Sequence, residues 1–230
     1  MFAKPEFHAK SNPALSEARN QQVKLIKELR RFKIKCNLDR SANYPTSIKL
    51  HFSLVAVMIL IEALGNMYLF AQGNELGLLG GIFEAILLSV VNVGVAVLVG
   101  LLALPQLNLQ LGVRRHLGLI ALILAIVFSL VFNLAAAHYR DLLILSKEIA
   151  LEKAIPNVIN HTFDLSFNGL VLLALGVIVF ALGLWKGYSA DDPYPGYGAL
   201  SRKSEAASQA FRELREKYPD AKYSFEGKED

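Results

Sequence analysis

Carboxyl, amide and hydroxyl side chains interrupt three long apolar stretches of this 230-residue sequence. They are Glu62 and Asn66 in the first stretch, Glu84 and Asn92 in the second, and Ser129 and Asn133 in the third. A charged carboxylate at the centre of a bilayer costs about 2.5–3.5 kcal/mol even on lenient scales, so it should face protein or water. These residues therefore indicate interhelical hydrogen bonding, a proton or cation site, or the lining of a pore.

The polar residues are spaced by four or eight positions, which places each set on one strip of its helix. Small residues such as Ala96 and Gly100 continue these strips, and small residues let helices approach closely. Opposite helix directions would bring Glu62 level with Asn92 in a central layer. Glu84 would then share an outer layer with Asn66 and Asn133. We interpret the asparagines as packing contacts, whereas for Glu62 a protonation switch, a cation site and a pore-lining role stay open beside packing.

Four apolar stretches are long enough to cross a membrane, at residues 50–71, 81–104, 117–138 and 166–185. About 20 helical residues cross the hydrocarbon core. The 53% share of hydrophobic residues also exceeds the roughly 45–50% of soluble domains. The sequence therefore predicts an all-α polytopic membrane protein. Its domain 49–188 should be an antiparallel bundle of four transmembrane helices, flanked by amphipathic helices in a segment 1–48 and a tail 189–230.

The distribution of Lys and Arg predicts the orientation, because short cytoplasmic loops retain these residues. Residues 1–50 hold 11 Lys and Arg against 4 Asp and Glu, and residues 72–80 hold no Lys or Arg. Arg114 and Arg115 follow the second stretch, and Lys186 follows the fourth. Both termini should therefore be cytoplasmic. The loop 139–165, in which Arg140 and Asp141 are among charges of both signs, should be outside.

The loop 139–165 allows two structures. No Gly or Pro occurs between residues 119 and 155, and Pro156 is the first residue that should break a helix. One continuous helix would then project from the membrane. Alternatively, an amphipathic segment breaks away near Tyr139 and lies on the outer leaflet. The sequence leaves both open.

The N-terminal segment predicts a basic amphipathic helix over residues 16–36. Its basic residues are Lys24, Lys27, Arg30, Arg31, Lys33 and Lys35, around an apolar face of Leu25, Leu29, Phe32 and Cys36. Basic residues of this kind are attracted to anionic lipid. We therefore expect contact with an anionic inner leaflet. A nucleic-acid contact is disfavoured, because the segment has neither an aromatic platform nor a known binding motif.

The tail contains a turn rich in Pro and Gly and then a helix with an apolar stripe. The stripe comprises Ala207, Phe211, Leu214 and Tyr218, and we expect it to bind a cytoplasmic protein. The turn contains Asp191 and Asp192, which we interpret as solvated. The fourth apolar stretch has few polar residues, and Gly183 and Gly187 have a spacing that suits helix packing. We expect that helix to face lipid or another protomer, in a homo-oligomer.

Motifs for catalysis and for cofactors do not occur in the sequence. The histidines are scattered without metal-ligand spacing, Cys36 is the single cysteine, and neither a nucleophile elbow nor a phosphate-binding glycine loop is present. We therefore expect no metal, no cofactor and no enzymatic activity.

Two segments, Gly73-Asn-Glu-Leu-Gly-Leu-Leu-Gly-Gly81 and Asp191-Asp-Pro-Tyr-Pro-Gly-Tyr-Gly198, resemble a loosely defined group of uncharacterised bacterial multi-pass membrane proteins. The resemblance covers roughly residues 50–200 and implies a bacterial inner membrane without an assigned activity.

Three functions follow as hypotheses. The leading one is a non-enzymatic, oligomeric membrane module that anchors or signals to a partner through its cytoplasmic helices. The alternative is an ion-conducting or membrane-depolarising pore of a stress or phage-defence effector, motivated by Glu62. A proton-coupled transporter is third, since four helices without an inverted repeat leave little room for a substrate site.

Overall fold

The computed structural model describes residues 12–110 and 112–219, which form seven α-helices and contain no β-strand. The all-α prediction is therefore confirmed. These residues divide into two compact units, one of residues 12–43 and 196–219 and the other of residues 44–195. The N-terminal segment and the C-terminal tail, which the sequence suggested as separate domains, thus both contribute to the first unit. Their outermost parts, residues 1–11 and 220–230, lie outside the described residues.

The first unit consists of α1, Pro13–Cys36, and α7, Tyr197–Lys217. Helix α1 begins three residues before the predicted start. Asn12 Oδ1 accepts hydrogen bonds from the amides of the first turn, and Pro13 suits the first position of a helix. It ends at Cys36, and the following residue, Asn37, adopts the left-handed conformation with φ of 52°. The two helices pack on each other and bury Leu15, Phe211 and Tyr197.

The second unit contains the four helices that are long and apolar enough to cross a membrane. They are α2, Ile48–Ala71, α3, Gly77–Leu102, α4, Val113–Leu143, and α6, Phe167–Tyr188. A 3-10 turn, Leu104–Asn108, follows α3, and a shorter helix, α5, Lys147–Asn160, lies between α4 and α6. Each predicted span overlaps one of these helices. The chain is thus compatible with a multi-pass membrane protein.

Large apolar side chains cover the outside of these four helices. Leu87 on α3 is 68% exposed, Leu124 on α4 63% and Ile178 on α6 59%. A monomeric soluble protein rarely exposes continuous apolar surface on this scale. The outside of the unit therefore fits hydrocarbon.

Glycines bring α6 against α3. An added Cβ at Gly187 would lie 2.1 Å from the carbonyl oxygen of Val97, and one at Gly100 would lie 2.2 Å from that of Leu184. Gly183 is also close to α3, with its added Cβ 2.8 Å from the Ala96 side chain. Gly183 and Gly187, whose spacing could equally have packed a neighbouring subunit, thus pack against α3 of the same chain, because small residues here let the two helices approach closely.

Of the two structures that the sequence left open for residues 139–165, one continuous helix up to residue 155 does not form. Helix α4 ends at Leu143, and α5 starts after Ser146, whose backbone is extended and whose Oγ accepts a 3.1 Å hydrogen bond from the Ile149 amide. A serine cap thus starts a new helix where neither Gly nor Pro marks a break. Pro156, expected to end a helix, lies inside α5. The break lies five residues beyond Tyr139, and the position of α5 relative to the membrane stays a prediction.

The turn after α6 is held against the turn after α3. Asn108 Nδ2 donates hydrogen bonds to Tyr188 Oη at 3.0 Å and to the Pro193 carbonyl at 2.7 Å. Asp192 is 3% exposed and accepts the Tyr194 amide at 2.8 Å. The expectation of a solvated aspartate pair is therefore wrong for Asp192, whose carboxylate organises the turn.

Candidate functional site

A buried polar cluster lies where α2, α3, α4 and α6 meet. Glu62 on α2 is 2% exposed, Asn92 on α3 1% and Asn133 on α4 3%. Apolar residues surround them on the same helices, including Ala63, Val93 and Ala137. Polar groups in such surroundings are stable only when they are hydrogen-bonded, so the connections between them decide what the cluster can do.

The side-chain amide of Asn92 connects all four helices. Its Nδ2 donates to Glu62 Oε1 and to the Gly176 carbonyl of α6, both at 2.9 Å. Its Oδ1 accepts from Asn133 Nδ2 at 3.0 Å. The Asn133 amide also donates to the Ser129 carbonyl at 2.9 Å. Asn92 therefore uses both amide hydrogens and its oxygen in contacts between helices.

Gly176 lets α6 reach this network. An added Cβ at this position would lie 1.8 Å from Asn133 Oδ1, far inside van der Waals contact. The Gly176 carbonyl also accepts the hydrogen bond from Asn92. A glycine in an apolar helix thus belongs to the site, and sequence reasoning missed it because the residue itself carries no polar side chain.

Within residues 12–110 and 112–219, three polar atoms around the network have no hydrogen-bond partner. They are Glu62 Oε2, Asn66 Oδ1 and Ser89 Oγ, all buried. Ser89 adjoins the Glu62 carboxyl, although no hydrogen bond of normal geometry joins them. A carboxyl group in this setting can hold a proton on Oε2 or accept a donor there.

The second predicted polar layer has different members. Glu84 on α3 accepts a hydrogen bond from Tyr139 Oη at 3.1 Å and lies 3.6 Å from Lys147 Nζ at the start of α5. Asn133 bonds to Asn92 instead, so its assignment to the layer of Glu84 is wrong. The reason is that Asn92 offers an acceptor that saturates the Asn133 amide at the central level.

A buried arginine joins the ends of three helices, which the sequence did not indicate. Arg140 is 2% exposed. Its guanidinium donates to Leu69 O at 3.3 Å, Asp141 Oδ1 at 2.8 Å, Ser166 Oγ at 3.2 Å and Gln72 Oε1. Five N–H donors in a rigid fork suit such a meeting point. From the sequence, Arg140 was treated only as one of the charges of the loop 139–165. The adjacent Arg140 and Asp141 within an unbroken helical pattern could have indicated a buried ion pair.

Asp141 completes this connection on the side of α6. Its Oδ2 accepts the Ser166 amide at 2.7 Å, and Ser166 in turn caps α6 by accepting the Gly169 amide at 3.1 Å. An added Cβ at Gly169 would lie 2.7 Å from Asp141 Oδ2. The ion pair therefore fixes where α6 begins relative to α4.

In the first unit, the apolar stripe of α7 that was predicted to bind a cytoplasmic protein is mostly covered by the same chain. Ala207 is 9% exposed and Phe211 4%, Leu214 is half-buried, and Tyr218 is 40% exposed. Arg19 of α1 lies over the Phe211 ring at 5.2 Å. Helix α1 therefore covers most of the stripe that was expected to bind another protein.

The basic face of α1 stays open. Five of its six predicted cations are exposed and Lys33 is half-buried; the exposed ones are Lys24, Lys27, Arg30, Arg31 and Lys35. Tyr197 closes the other side of the helix pair, stacking on Phe32 at 6.1 Å and donating a 2.6 Å hydrogen bond to the Arg40 carbonyl. The unit thus buries Tyr197 and Phe211 and presents positive charge on α1.

Metal-ligating residues are dispersed in the part of the chain that the structure describes. There, no group of three or more His, Cys, Asp or Glu side chains is placed to hold a metal ion. His161 pairs with Asp164 at 3.0 Å, and the buried His138 leaves Nε2 without a hydrogen bond. No protein-family model, curated protein or solved structure matches the chain.

Proposed function

We propose that this protein is a non-enzymatic module of the cell inner membrane, which holds a cytoplasmic partner at the membrane through the α1–α7 unit. The observation that carries the proposal is the buried hydrogen-bond network of Asn92, through which all four spanning-length helices are joined. A conducting path needs polar groups that water can reach, whereas Glu62 and Asn92 are buried and bonded to each other. The four helices then act as an anchor.

The proposed arrangement is an antiparallel bundle with both ends of the chain in the cytoplasm. Arg114 and Arg115, exposed at the start of α4, and Lys186 at the end of α6 support this orientation, since positive residues concentrate in cytoplasmic loops. Arg140 is buried and bonded to Asp141, so it adds no free positive charge to the opposite side. The homo-oligomer stays a prediction, now without support from Gly183 and Gly187.

The partner that fits α1 has an acidic surface. Leu15 of α1 and Ala207 and Phe211 of α7 are buried in the unit, whereas the basic residues of α1 are mostly exposed and available for recognition. Charge complementarity of this kind increases the rate and the specificity of association. Electrostatic attraction to anionic lipid would add to it.

A test replaces Lys24, Lys27, Arg30 and Arg31 with Gln in the full chain and identifies proteins that co-purify after cross-linking in native membranes. A matched control replaces four exposed cations of α7, Lys203, Arg212, Arg215 and Lys217. The α1 variant should lose the captured partner, and the control should keep it. The proposal is wrong if the α1 variant captures the same proteins as the wild type.

The second candidate is passage of protons or cations past Glu62. It is favoured by the buried, unpartnered Glu62 Oε2, Asn66 Oδ1 and Ser89 Oγ, which offer acceptors along the inside of α2 and α3. In liposomes that contain the purified protein, this function requires an ion flux that Glu62→Gln changes. An equally low flux in wild type, variant and empty liposomes would exclude it.

A further inference from the structure

An apolar groove of about 390 Å³ lies between α3, α4 and α5. Its apolar lining comprises Leu87, Leu88, Phe132, Ala135, Ala136, Ala150, Leu151, Ala154 and Ile155. Its size falls in the range of about 300–1,000 Å³ that is usual for ligand pockets. The groove exists because the chain turns at Ser146, so that α5 packs beside α4.

The groove also contains two polar residues, Glu84 and Tyr139. Glu84 Oε1 is occupied by Tyr139 Oη, and Lys147 Nζ lies 3.6 Å away. Glu84 Oε2 is buried and has no hydrogen-bond partner among the residues that the structure describes. Lys147 itself is 58% exposed. The Glu84 side chain as a whole is 18% exposed, so a turn of its carboxyl would present this acceptor to the groove, next to an accessible cation.

We propose that this groove binds a phospholipid with a phosphoethanolamine headgroup. One acyl chain occupies the apolar groove, the primary ammonium donates to Glu84 Oε2, and the phosphate pairs with Lys147. The acid and the base of the protein then match the opposite charges of the zwitterionic headgroup. A choline headgroup carries the same charges but no N–H, so it cannot satisfy Glu84 Oε2.

A lipid fits this groove better than a protein segment does. Leu151 and Ile155 are 65% and 70% exposed, so the rim of the groove belongs to the same apolar exterior as the four long helices. An apolar helix of a partner or a second copy would cover Glu84 and Lys147 and remove their ion pair from water. The free energy of desolvating the two charges would then exceed the attraction between them. A zwitterionic headgroup instead supplies counter-charges to both.

The test uses the purified full chain in detergent and measures retained lipid by native mass spectrometry. The probes share the same acyl chains and differ only in headgroup: phosphatidylethanolamine, its mono- and dimethyl derivatives, and phosphatidylcholine. Hydrogen bonds to charged groups are strong enough for about a tenfold preference. We therefore expect phosphatidylethanolamine to be retained about tenfold more than phosphatidylcholine, with the largest drop at the loss of the last N–H.

Variants assign this preference to the groove. Glu84→Gln should reduce it to about equal retention of the two lipids, whereas Glu75→Gln, in the exposed turn before α3, should leave it unchanged. Lys147→Gln should weaken both lipids by about fivefold, because both contain the phosphate. Ala135→Phe should narrow the groove and release both.

Three outcomes would overturn the proposal. One is equal retention of the ethanolamine and choline lipids by the wild type. Another is an ethanolamine preference that survives Glu84→Gln, or a retention of both lipids that Lys147→Gln leaves unchanged, since either result would place the lipid elsewhere. The third is a cross-linked second copy or another protein in the groove. Since Lys147 is exposed, its variant tests the site even if Ala135→Phe does not fold.

Discussion

Asn92 Nδ2 donates a 2.9 Å hydrogen bond to Glu62 Oε1 and so joins α3 to α2 in the buried centre of the larger unit. The second hydrogen of the same amide reaches the Gly176 carbonyl of α6, and its oxygen accepts from Asn133 of α4. A single amide therefore has a partner on each of the other long helices. A substitution of Asn92 should therefore weaken the contacts of α3 with all three of the other long helices.

Asn92→Leu should lower the free energy of unfolding by about 2 kcal/mol, since three interhelical hydrogen bonds contribute about 0.6 kcal/mol each. Leucine keeps the apolar helix but cannot bond to Glu62, Asn133 or Gly176. The measurement is reversible unfolding in mixed micelles, with the exposed neighbour Val91→Leu as the control. An Asn92 variant as stable as the control would contradict the proposed role of the network.

Gly176→Ala and Gly94→Ala form a matched pair of glycine substitutions in apolar helices. The added methyl group at Gly176 meets Asn133 Oδ1 at 1.8 Å, whereas that at Gly94 meets no atom within 4 Å. Overpacking should cost Gly176→Ala about 1–3 kcal/mol. Gly94→Ala should stabilise by about 0.5–1 kcal/mol, because alanine is the better helix former. Thermal unfolding followed by circular dichroism distinguishes them, and equal midpoints would exclude close packing of α6 at this position.

Arg140→Ala should destabilise the unit by about 3–5 kcal/mol, because it leaves Asp141 without its buried partner. Arg140→Lys should restore only part of this, since one ammonium cannot reproduce the fork that reaches three helices. Unfolding of both variants is compared with that of Lys153→Gln, which changes an exposed cation on α5. Full recovery with lysine would mean that charge alone, without the fork geometry, holds the helix ends.

Phe211→Ala should open the α1–α7 unit, because the ring is 4% exposed and lies under Arg19. Truncating a buried Phe costs about 3–5 kcal/mol. Limited proteolysis should therefore cut α1 and α7 faster, while Tyr218→Ala, at a position 40% exposed, should leave the rate unchanged. Deletion of residues 1–45 should expose α7 in the same way. Resistance of the Phe211 variant would contradict the packing of the two helices.

The four long helices could be predicted from the sequence because the signal is local. About 20 consecutive apolar residues are enough to define each of them, and no knowledge of neighbours is needed. The interior positions of Glu62, Asn92 and Asn133 followed from the same logic, since polar groups in such helices turn toward protein. The start of α1 and the break before α5 were harder to predict from the sequence. Each depends on one capping residue, Asn12 or Ser146, whose role is visible only when its side chain meets a backbone amide.

The partners of these residues were decided by tertiary structure. Spacing along a helix gives the face of a residue but not its depth against another helix, so Asn133 was assigned to the wrong layer. Gly176 and Gly187 carry no side chain from which a partner could be read, and their role appears only where α6 meets α4 and α3. The same applies to Arg140, three of whose four acceptors come from distant parts of the chain, and to the stripe of α7, which is mostly covered by α1. Hydrophobic and hydrogen-bonding patterns determine which surfaces must be buried, and only the packed chain determines what buries them.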